Sequence, residues 1–135
     1  MNMNTDHAEH KRDQRLRKRL LQVLNAAKVR PDRGWAGGRF IFDIVDGAIP
    51  GGQRFESDEH MLGLMRDLIA GGYVEERDDR VYNWQPTGVD SVSYRVTALG
   101  TALVLEAVDP DPLVEDSRLA PARVRGRLPR EEERS

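Results

Sequence analysis

The spacing of the apolar residues changes at Gly71-Gly72, from that of a helix to that of strands, and this change most limits the possible folds. Before it, apolar residues over 61–69 recur every three or four positions, which is typical of one helix face. Ser57 suits the start of this helix, and the glycine pair suits its end. After it, residues 73–77 and 91–96 have the composition and alternation of two strands joined by a turn. The sequence therefore predicts a helix followed directly by a β-hairpin.

Three further helices are predicted around this hairpin. An apolar face that begins at Leu16 predicts a first helix over about 12–29, with an earlier start at a cap on Asn4 or Thr5 as the alternative. A second stripe predicts a shorter helix over about 35–48. Thr97 suits the start of a closing helix over about 98–108. These elements predict a mainly α fold with a small two-stranded β-hairpin, in the α+β class.

The chain divides into three parts by composition. Residues 1–11 form a polar N-terminal extension, and residues 12–108 form the folded domain. Residues 109–135 contain four of the seven prolines, many charges and few large apolar residues. Such a segment cannot bury enough surface to offset its ordering entropy, so we expect a disordered tail. A short contact through Leu113, Val114 and Leu119 is expected within it.

Composition excludes several classes of protein. The chain has no cysteine and three histidines, which excludes disulfide scaffolds, thiol nucleophiles and cysteine-based metal sites. It has no glycine-rich phosphate loop and no nucleophile-elbow serine, so we expect neither catalysis nor a cofactor or metal. No apolar run approaches membrane-spanning length, and the start of the chain is polar, so a cytoplasmic protein without a membrane partner is expected.

Two motifs resemble parts of the winged helix-turn-helix regulators of the MarR and PadR type. Residues 72–77, Gly-Tyr-Val-Glu-Glu-Arg, are similar to the junction between recognition helix and wing in those proteins. Residues 94–100, Tyr-Arg-Val-Thr-Ala-Leu-Gly, are similar to their exit from the wing. The resemblance covers roughly residues 12–108 and assigns no subfamily. It departs from the compact pattern at 49–56, which is longer than a tight helix-turn-helix turn.

The resemblance implies a transcriptional regulator that binds duplex DNA, with its third helix in the major groove and its wing on the adjacent backbone or minor groove. Near helix starts, arginines would contact phosphates, whereas long donors on the third helix would read bases. Trp84 would stack on a base or fill a groove, or it would fold back on the domain. The candidate DNA-binding residues are Arg33, Arg39, Arg54, His60, Arg66, Arg80 and Trp84.

Charge on the same elements favours a protein partner instead. Residues 57–71 have a net charge of −2, and so do residues 78–91 at the tip of the hairpin. Carboxylates at the groove-facing end of a helix repel phosphates, although acidic residues also suit a helix start. The alternative function is therefore a winged-helix interaction module that docks on a protein through its acidic third helix or its Trp84 wing.

The closing helix is apolar nearly all round, which predicts a homodimer. A single domain cannot bury every face of a terminal helix, and large exposed apolar patches are unusual on monomers. We therefore expect the last helix to pair with the first helix across a two-fold axis. The candidate interface residues are Leu16, Leu103, Val104, Leu105 and Val108.

Overall fold

The computed structural model describes residues 3–47 and 54–115, with side chains from residue 7 onward. Within these ranges the chain forms four α-helices and one antiparallel sheet of three strands, which confirms the α+β class. The elements are α1 (Met3–Ala27), β1 (Ala36–Gly37), α2 (Gly38–Gly47), α3 (Asp58–Ala70), β2 (Val74–Asp78), β3 (Val92–Val96) and α4 (Ala98–Val104), with one 3-10 turn (Val89–Ser91) before β3.

The sheet has the strand order β1-β3-β2, so β3 is its central strand. Glu76 of β2 lies opposite Tyr94 of β3, in the hairpin that the sequence predicts. The prediction of only two strands is wrong, because Ala36 of β1 pairs with Tyr94 from the other side. With two residues, Ala36 and Gly37, β1 is too short to leave an alternating pattern in the sequence.

The core lies where α1 packs against α3, α4 and the sheet. Tyr94 of β3 is the largest side chain that is fully buried there. Each large apolar side chain in such a core contributes about 1.5–3 kcal/mol to folding. The other fully buried side chains are Leu16, Leu20, Leu21, Leu24, Ile41, Val45, Met61, Met65, Leu68 and Val89.

Helices α3 and α4 begin at the caps that the sequence predicts. The Ser57 hydroxyl accepts the N–H of His60 at 3.1 Å, and the Thr97 hydroxyl accepts the N–H of Gly100 at 3.0 Å. After α3, Gly72 takes the left-handed conformation with φ of 85° and turns the chain into β2. These local signals fix the direction in which the chain enters and leaves the hairpin.

Three helix boundaries differ from the sequence predictions. Helix α1 begins at Met3, close to the alternative start at Asn4 or Thr5 and not near Arg12, so most of the predicted N-terminal extension belongs to the helix. Helix α2 begins at Gly38, because the two residues before it pair with β3. Helix α4 ends at Val104 and not near Val108, and Glu106 just beyond it has a φ of 61°, outside the helical region.

The segment 109–115 folds back over α1 and the end of α3. Gln14 donates a hydrogen bond to the carbonyl of Pro112 at 2.8 Å, and the Tyr73 hydroxyl donates to the Asp111 carboxylate. Val114 is buried in the core, and Leu113 packs against it. The predicted tail therefore contributes an ordered segment at its start, whereas Leu119 lies outside the described residues.

Candidate nucleic-acid interface

Helix α3 exposes an acidic surface. Asp58 and Glu59 occupy its first turn, where they complement the positive end of the helix dipole. Asp67 near its other end pairs with Arg17 of α1, with 2.8 Å between Nη2 and Oδ2. Arg66 is exposed, and among the described residues no carboxylate lies within ion-pair distance of it. Arg66 is therefore the cation that α3 itself can offer to a phosphate or a base.

His60 is turned away from this surface, so the prediction that it is an exposed donor is wrong. Its side chain is 13% exposed and lies between α1 and the start of α3. Nδ1 accepts the N–H of Glu56 at 3.0 Å, and Nε2 lies 2.8 Å from Oδ1 of Asp13. Both ring nitrogens are thus occupied within the chain, which makes His60 a link between two helices.

Arg39 joins three parts of the fold through its guanidinium. Nε lies 3.0 Å from Oδ1 of Asp90, before β3, and Nη2 lies 2.8 Å from Oδ2 of Asp58, at the start of α3. The hydrogen bonds with Asp90 and Asp58 raise the pKa of Arg39, and the bond with Arg39 lowers the pKa of Asp90. A DNA phosphate would have to replace these carboxylates to bind Arg39.

Two further candidate arginines are also paired. Nη1 of Arg54 lies 2.9 Å from the carbonyl oxygen of Asp46 and 3.4 Å from its carboxylate. Nη2 of Arg80 lies 2.9 Å from Oδ2 of Asp78, and this pairing lowers the pKa of Asp78. Nη1 of Arg80 also donates to the carbonyl of Gln85, so Arg80 holds the loop 79–91 between β2 and β3 in shape. We call this segment the β2–β3 loop.

The β2–β3 loop exposes a pair of stacked aromatic rings. Tyr82 and Trp84 lie with their centroids 5.5 Å apart and their planes 9° from parallel. Trp84 is 75% exposed, and the neighbouring Val81 is 77% exposed. The side-chain oxygen of Gln85 accepts the N–H groups of Val81 and Tyr82, which fixes the turn that presents them. Trp84 therefore does not fold back on the domain.

A cleft of about 240 Å³ separates α3 from the hairpin. Its charged side chains are of both signs, since Arg66 faces Glu76 and Asp78 across it. Leu62, Thr87, Gly88, Ser91 and Val92 complete the lining. Within residues 3–47 and 54–115, no group of histidine and carboxylate side chains has the arrangement of a metal site.

The candidate dimer residues are divided between the core and the surface. Leu16 and Leu103 are buried within the chain, at 1% and 4% exposure, so neither can contact a second copy in this conformation. Val104 and Val108 are partly buried and pack against the same core. Leu105 is 64% exposed. The closing helix is covered on one side because α1 packs on it, whereas Leu99 on the same helix is 44% exposed.

The structure adds a basic cluster, of which only Arg33 is among the candidate residues predicted from the sequence. The segment 28–35, which connects α1 to β1, contains Lys28, Arg30 and Arg33 with one carboxylate, Asp32. We call this segment the basic turn. Among the described residues, none of its three cations lies within ion-pair distance of a carboxylate. The sequence signal for the basic turn is the presence of three cations within six positions.

Two arginines of the sheet pack on the basic turn. The guanidinium carbons of Arg95 and Arg77 lie 4.4 Å and 5.0 Å from the ring centroid of Trp35. Both arginines are also paired with carboxylates, Arg95 with Glu75 at 2.7 Å and Arg77 with Asp79 at 2.7 Å. These contacts join the basic turn to the base of the hairpin.

Comparisons of the chain with protein-family models, curated proteins and solved structures find no match. Among the described residues, no helix combines the length and the apolar character needed to cross a membrane.

Proposed function

We propose that the chain is a winged-helix protein of the transcriptional-regulator type that binds duplex DNA. The observation that supports this proposal is the order of elements: three helices lead directly into a hairpin whose strands form a sheet with β1. In helix-turn-helix proteins of this kind, the recognition helix enters the major groove. Helix α3 would take that place, and the β2–β3 loop would take the place of the wing.

In this arrangement the candidate contacts fall into two groups. Arg33 and Arg66 are exposed and can bind a phosphate or a base without breaking an ion pair among the described residues. Arg39, Arg54 and Arg80 would first exchange carboxylate partners for phosphates. The acidic partners therefore weaken non-specific binding, which depends on the number of phosphates that the protein neutralises.

Fluorescence anisotropy with a labelled duplex of mixed sequence at low salt tests the proposal. We expect binding that weakens as salt rises, because counterions are released from the neutralised phosphates. Arg66→Ala should weaken binding by about 1–3 kcal/mol if Arg66 reads a base. Arg15→Ala, on an exposed position of α1, is the matched control and should have a smaller effect. Absence of duplex binding at low salt would refute the proposal.

The second candidate function is docking on another protein. It is favoured by the stacked pair of Tyr82 and Trp84, which exposes apolar area beside the carboxylates of Asp78 and Asp79. Aromatic anchors of this kind dominate many protein interfaces. If the wild-type protein shows no salt-dependent binding of duplex DNA, this function replaces the first.

The proposed regulator is a homodimer, and its interface would centre on Leu105, the most exposed of the candidate interface residues. Light scattering at micromolar concentration should give twice the chain mass of 15.3 kDa. Leu105→Asp should reduce this mass to that of a monomer, because it places a charge in an apolar contact. A wild-type mass near that of one chain would reject the dimer.

A further inference from the structure

We propose that the basic turn is a second DNA-binding surface, which holds the phosphate backbone of a duplex outside the contacts of α3. The proposal rests on the proposed function for the identity of the ligand, which is duplex DNA. It differs from that function in location, because the basic turn belongs neither to α3 nor to the β2–β3 loop.

The charge of the basic turn carries the argument. Residues 28–35 have a net charge of +2, whereas residues 57–71 and residues 78–91 each have a net charge of −2. Lys28, Arg30 and Arg33 are all exposed. The arginines of α2 and the hairpin are paired with carboxylates, whereas the three cations of the basic turn have no such partner in the described part of the chain. Another group of three cations without a carboxylate partner among the described residues lies on α1, at Arg15, Lys18 and Arg19. Phosphate neutralisation by such cations supplies most of the non-specific affinity for DNA.

The backbone holds these cations outward. Arg33 and Gly34 have φ values of 56° and 86°, two consecutive residues in the left-handed region. A left-handed arginine is disfavoured by roughly 1–2 kcal/mol. The turn nonetheless packs closely on its neighbours at Gly34. A Cβ added there would lie 3.1 Å from Cα of Lys28 and 3.5 Å from Cγ of Arg95, so the backbone has little room to move. Strained residues of this kind concentrate at binding sites.

Neighbouring contacts position Arg30 of the basic turn and tie the turn to the hairpin. The guanidinium carbon of Arg30 lies 4.6 Å from the ring centroid of Phe40, at the start of α2. A cation over an aromatic face is stabilised by about 0.5–1 kcal/mol at exposed sites, and its N–H groups remain able to bind phosphate. Arg77 connects the turn to the hairpin, since it lies 3.2 Å from Asp32 and 2.7 Å from Asp79. A duplex that contacts the base of the hairpin would therefore reach the basic turn.

A matched pair of triple variants tests this surface. The first variant combines Lys28→Gln, Arg30→Gln and Arg33→Asn, with asparagine chosen because it tolerates the left-handed conformation. The control combines Arg15→Gln, Lys18→Gln and Arg19→Gln, which removes the same three charges from α1. The control positions lie roughly 14–20 Å away from Lys28 along the helix axis, beyond a Debye length at physiological salt.

Binding of both variants to a labelled mixed-sequence duplex is measured by anisotropy over a series of salt concentrations. If all three side chains contact phosphates, the slope of log affinity against log salt should fall by about 2–3 in the first variant. The control should change the slope by less than about 1. Equal losses in the two variants would show an effect of net charge alone and overturn the proposal. An unchanged slope in the first variant would overturn it too.

Further measurements separate this proposal from the proposed function. If Arg66→Ala and Trp84→Ala weaken binding but the first triple variant does not, the basic turn is not a contact and the α3 mode stands. If only the triple variant weakens binding, the basic turn stands and the α3 mode fails. If the wild-type protein binds poly-glutamate as tightly as duplex, the surface takes acidic protein and the proposal fails.

Folding of the triple variant is checked by circular dichroism and thermal unfolding. Lys28 lies just after α1, where a cation is favoured by the helix dipole, so its loss alone lowers stability slightly. The single variant Arg33→Asn avoids this effect and should reduce the salt slope by about 1. No change of slope in this stable variant would exclude Arg33 from the surface.

Discussion

The basic turn and the surface formed by α3 with the β2–β3 loop differ in what their arginines contact. Arg39 and Arg80 on the α3 side each bind carboxylates at 2.8–3.0 Å. On the basic turn, Arg30 contacts an aromatic ring and Arg33 is exposed. The number of arginines in a segment is thus a poor measure of its affinity for phosphate. Pairing within the fold decides which of them a ligand can use.

The largest expected effect concerns the backbone that separates the two regions. A Cβ on Gly38 would lie 2.5 Å from the carbonyl oxygen of Val89 and 3.0 Å from Cγ1 of Val92. Because a carbonyl cannot rotate away, Gly38→Ala should lower the free energy of unfolding by about 2–3 kcal/mol in urea titrations. The control Gly37→Ala meets nothing within 4 Å and should change it far less. Equal urea midpoints for the two variants would mean that Gly38 does not pack against Val89 and Val92 as described.

A second test concerns Tyr73, which follows α3 and binds Asp111 of the segment 109–115. Burial and the hydrogen bond to Asp111 raise the pKa of Tyr73 to about 12, above its ordinary value of 10.0. The folded state thus favours the neutral hydroxyl of Tyr73. The stability that this hydroxyl contributes is fully present below pH 10 and is lost as the pH rises from 10 to about 12.

The corresponding variant is Tyr73→Phe, measured by urea unfolding across this pH window. It should lose less stability on alkalinisation than the wild type, by about 2 kcal/mol. Some loss remains in the variant, because burial also raises the pKa of Tyr94. Tyr82→Phe, exposed in the β2–β3 loop, is the control. If both variants follow the wild-type curve, the segment 109–115 is not held through Tyr73.

A third test would bring the two regions closer in charge. Asp58→Asn with Asp90→Asn removes both carboxylates from Arg39 and should tighten non-specific duplex binding roughly three- to tenfold at low salt. The control, Asp43→Asn with Asp109→Asn, removes two exposed carboxylates elsewhere. Equal tightening in both variants would assign the effect to net charge and not to the release of Arg39.

The smallest expected effect concerns the exposed aromatic pair. Trp84→Ala should change the free energy of unfolding by less than about 0.5 kcal/mol, because the side chain has little contact with the core. Thermal unfolding measures this change, with Trp35→Ala as the contrasting variant. Trp35 lies against two guanidiniums, and its loss should cost more. A large loss from Trp84→Ala would make the loop a packing element and remove it from the binding surface.

The parts of the fold that depend on neighbours in sequence were predictable. Ser57 and Thr97 cap their helices through residues three positions away, and Gly72 turns the chain as expected. Local hydrogen bonds of this kind leave a readable pattern. The two strands of the hairpin are also close in sequence, but their burial does not alternate as the sequence predicts, since β2 buries only Val74 and β3 buries every residue except Arg95.

The parts that depend on distant partners were not predictable. Strand β1 exists because Ala36 meets Tyr94, and Arg39 is neutralised by Asp90, 51 residues away. The burial of Val114 likewise requires a surface made by α1 and α4. A charge or an apolar residue in a sequence shows what it can contact, but only the packed chain shows what it does contact. For this reason the structure corrects more of the predicted site than of the predicted fold.

The positions of the two tryptophans give the chain two optical reporters. Trp35 is partly buried against the guanidiniums of Arg77 and Arg95, whereas Trp84 is 75% exposed and stacked on Tyr82. A dissolved quencher such as acrylamide reaches the second indole more readily than the first. The chain has no other tryptophan, so Trp84→Phe leaves emission from Trp35 alone. Occupancy of the basic turn and of the β2–β3 loop can therefore be followed separately in the unlabelled protein.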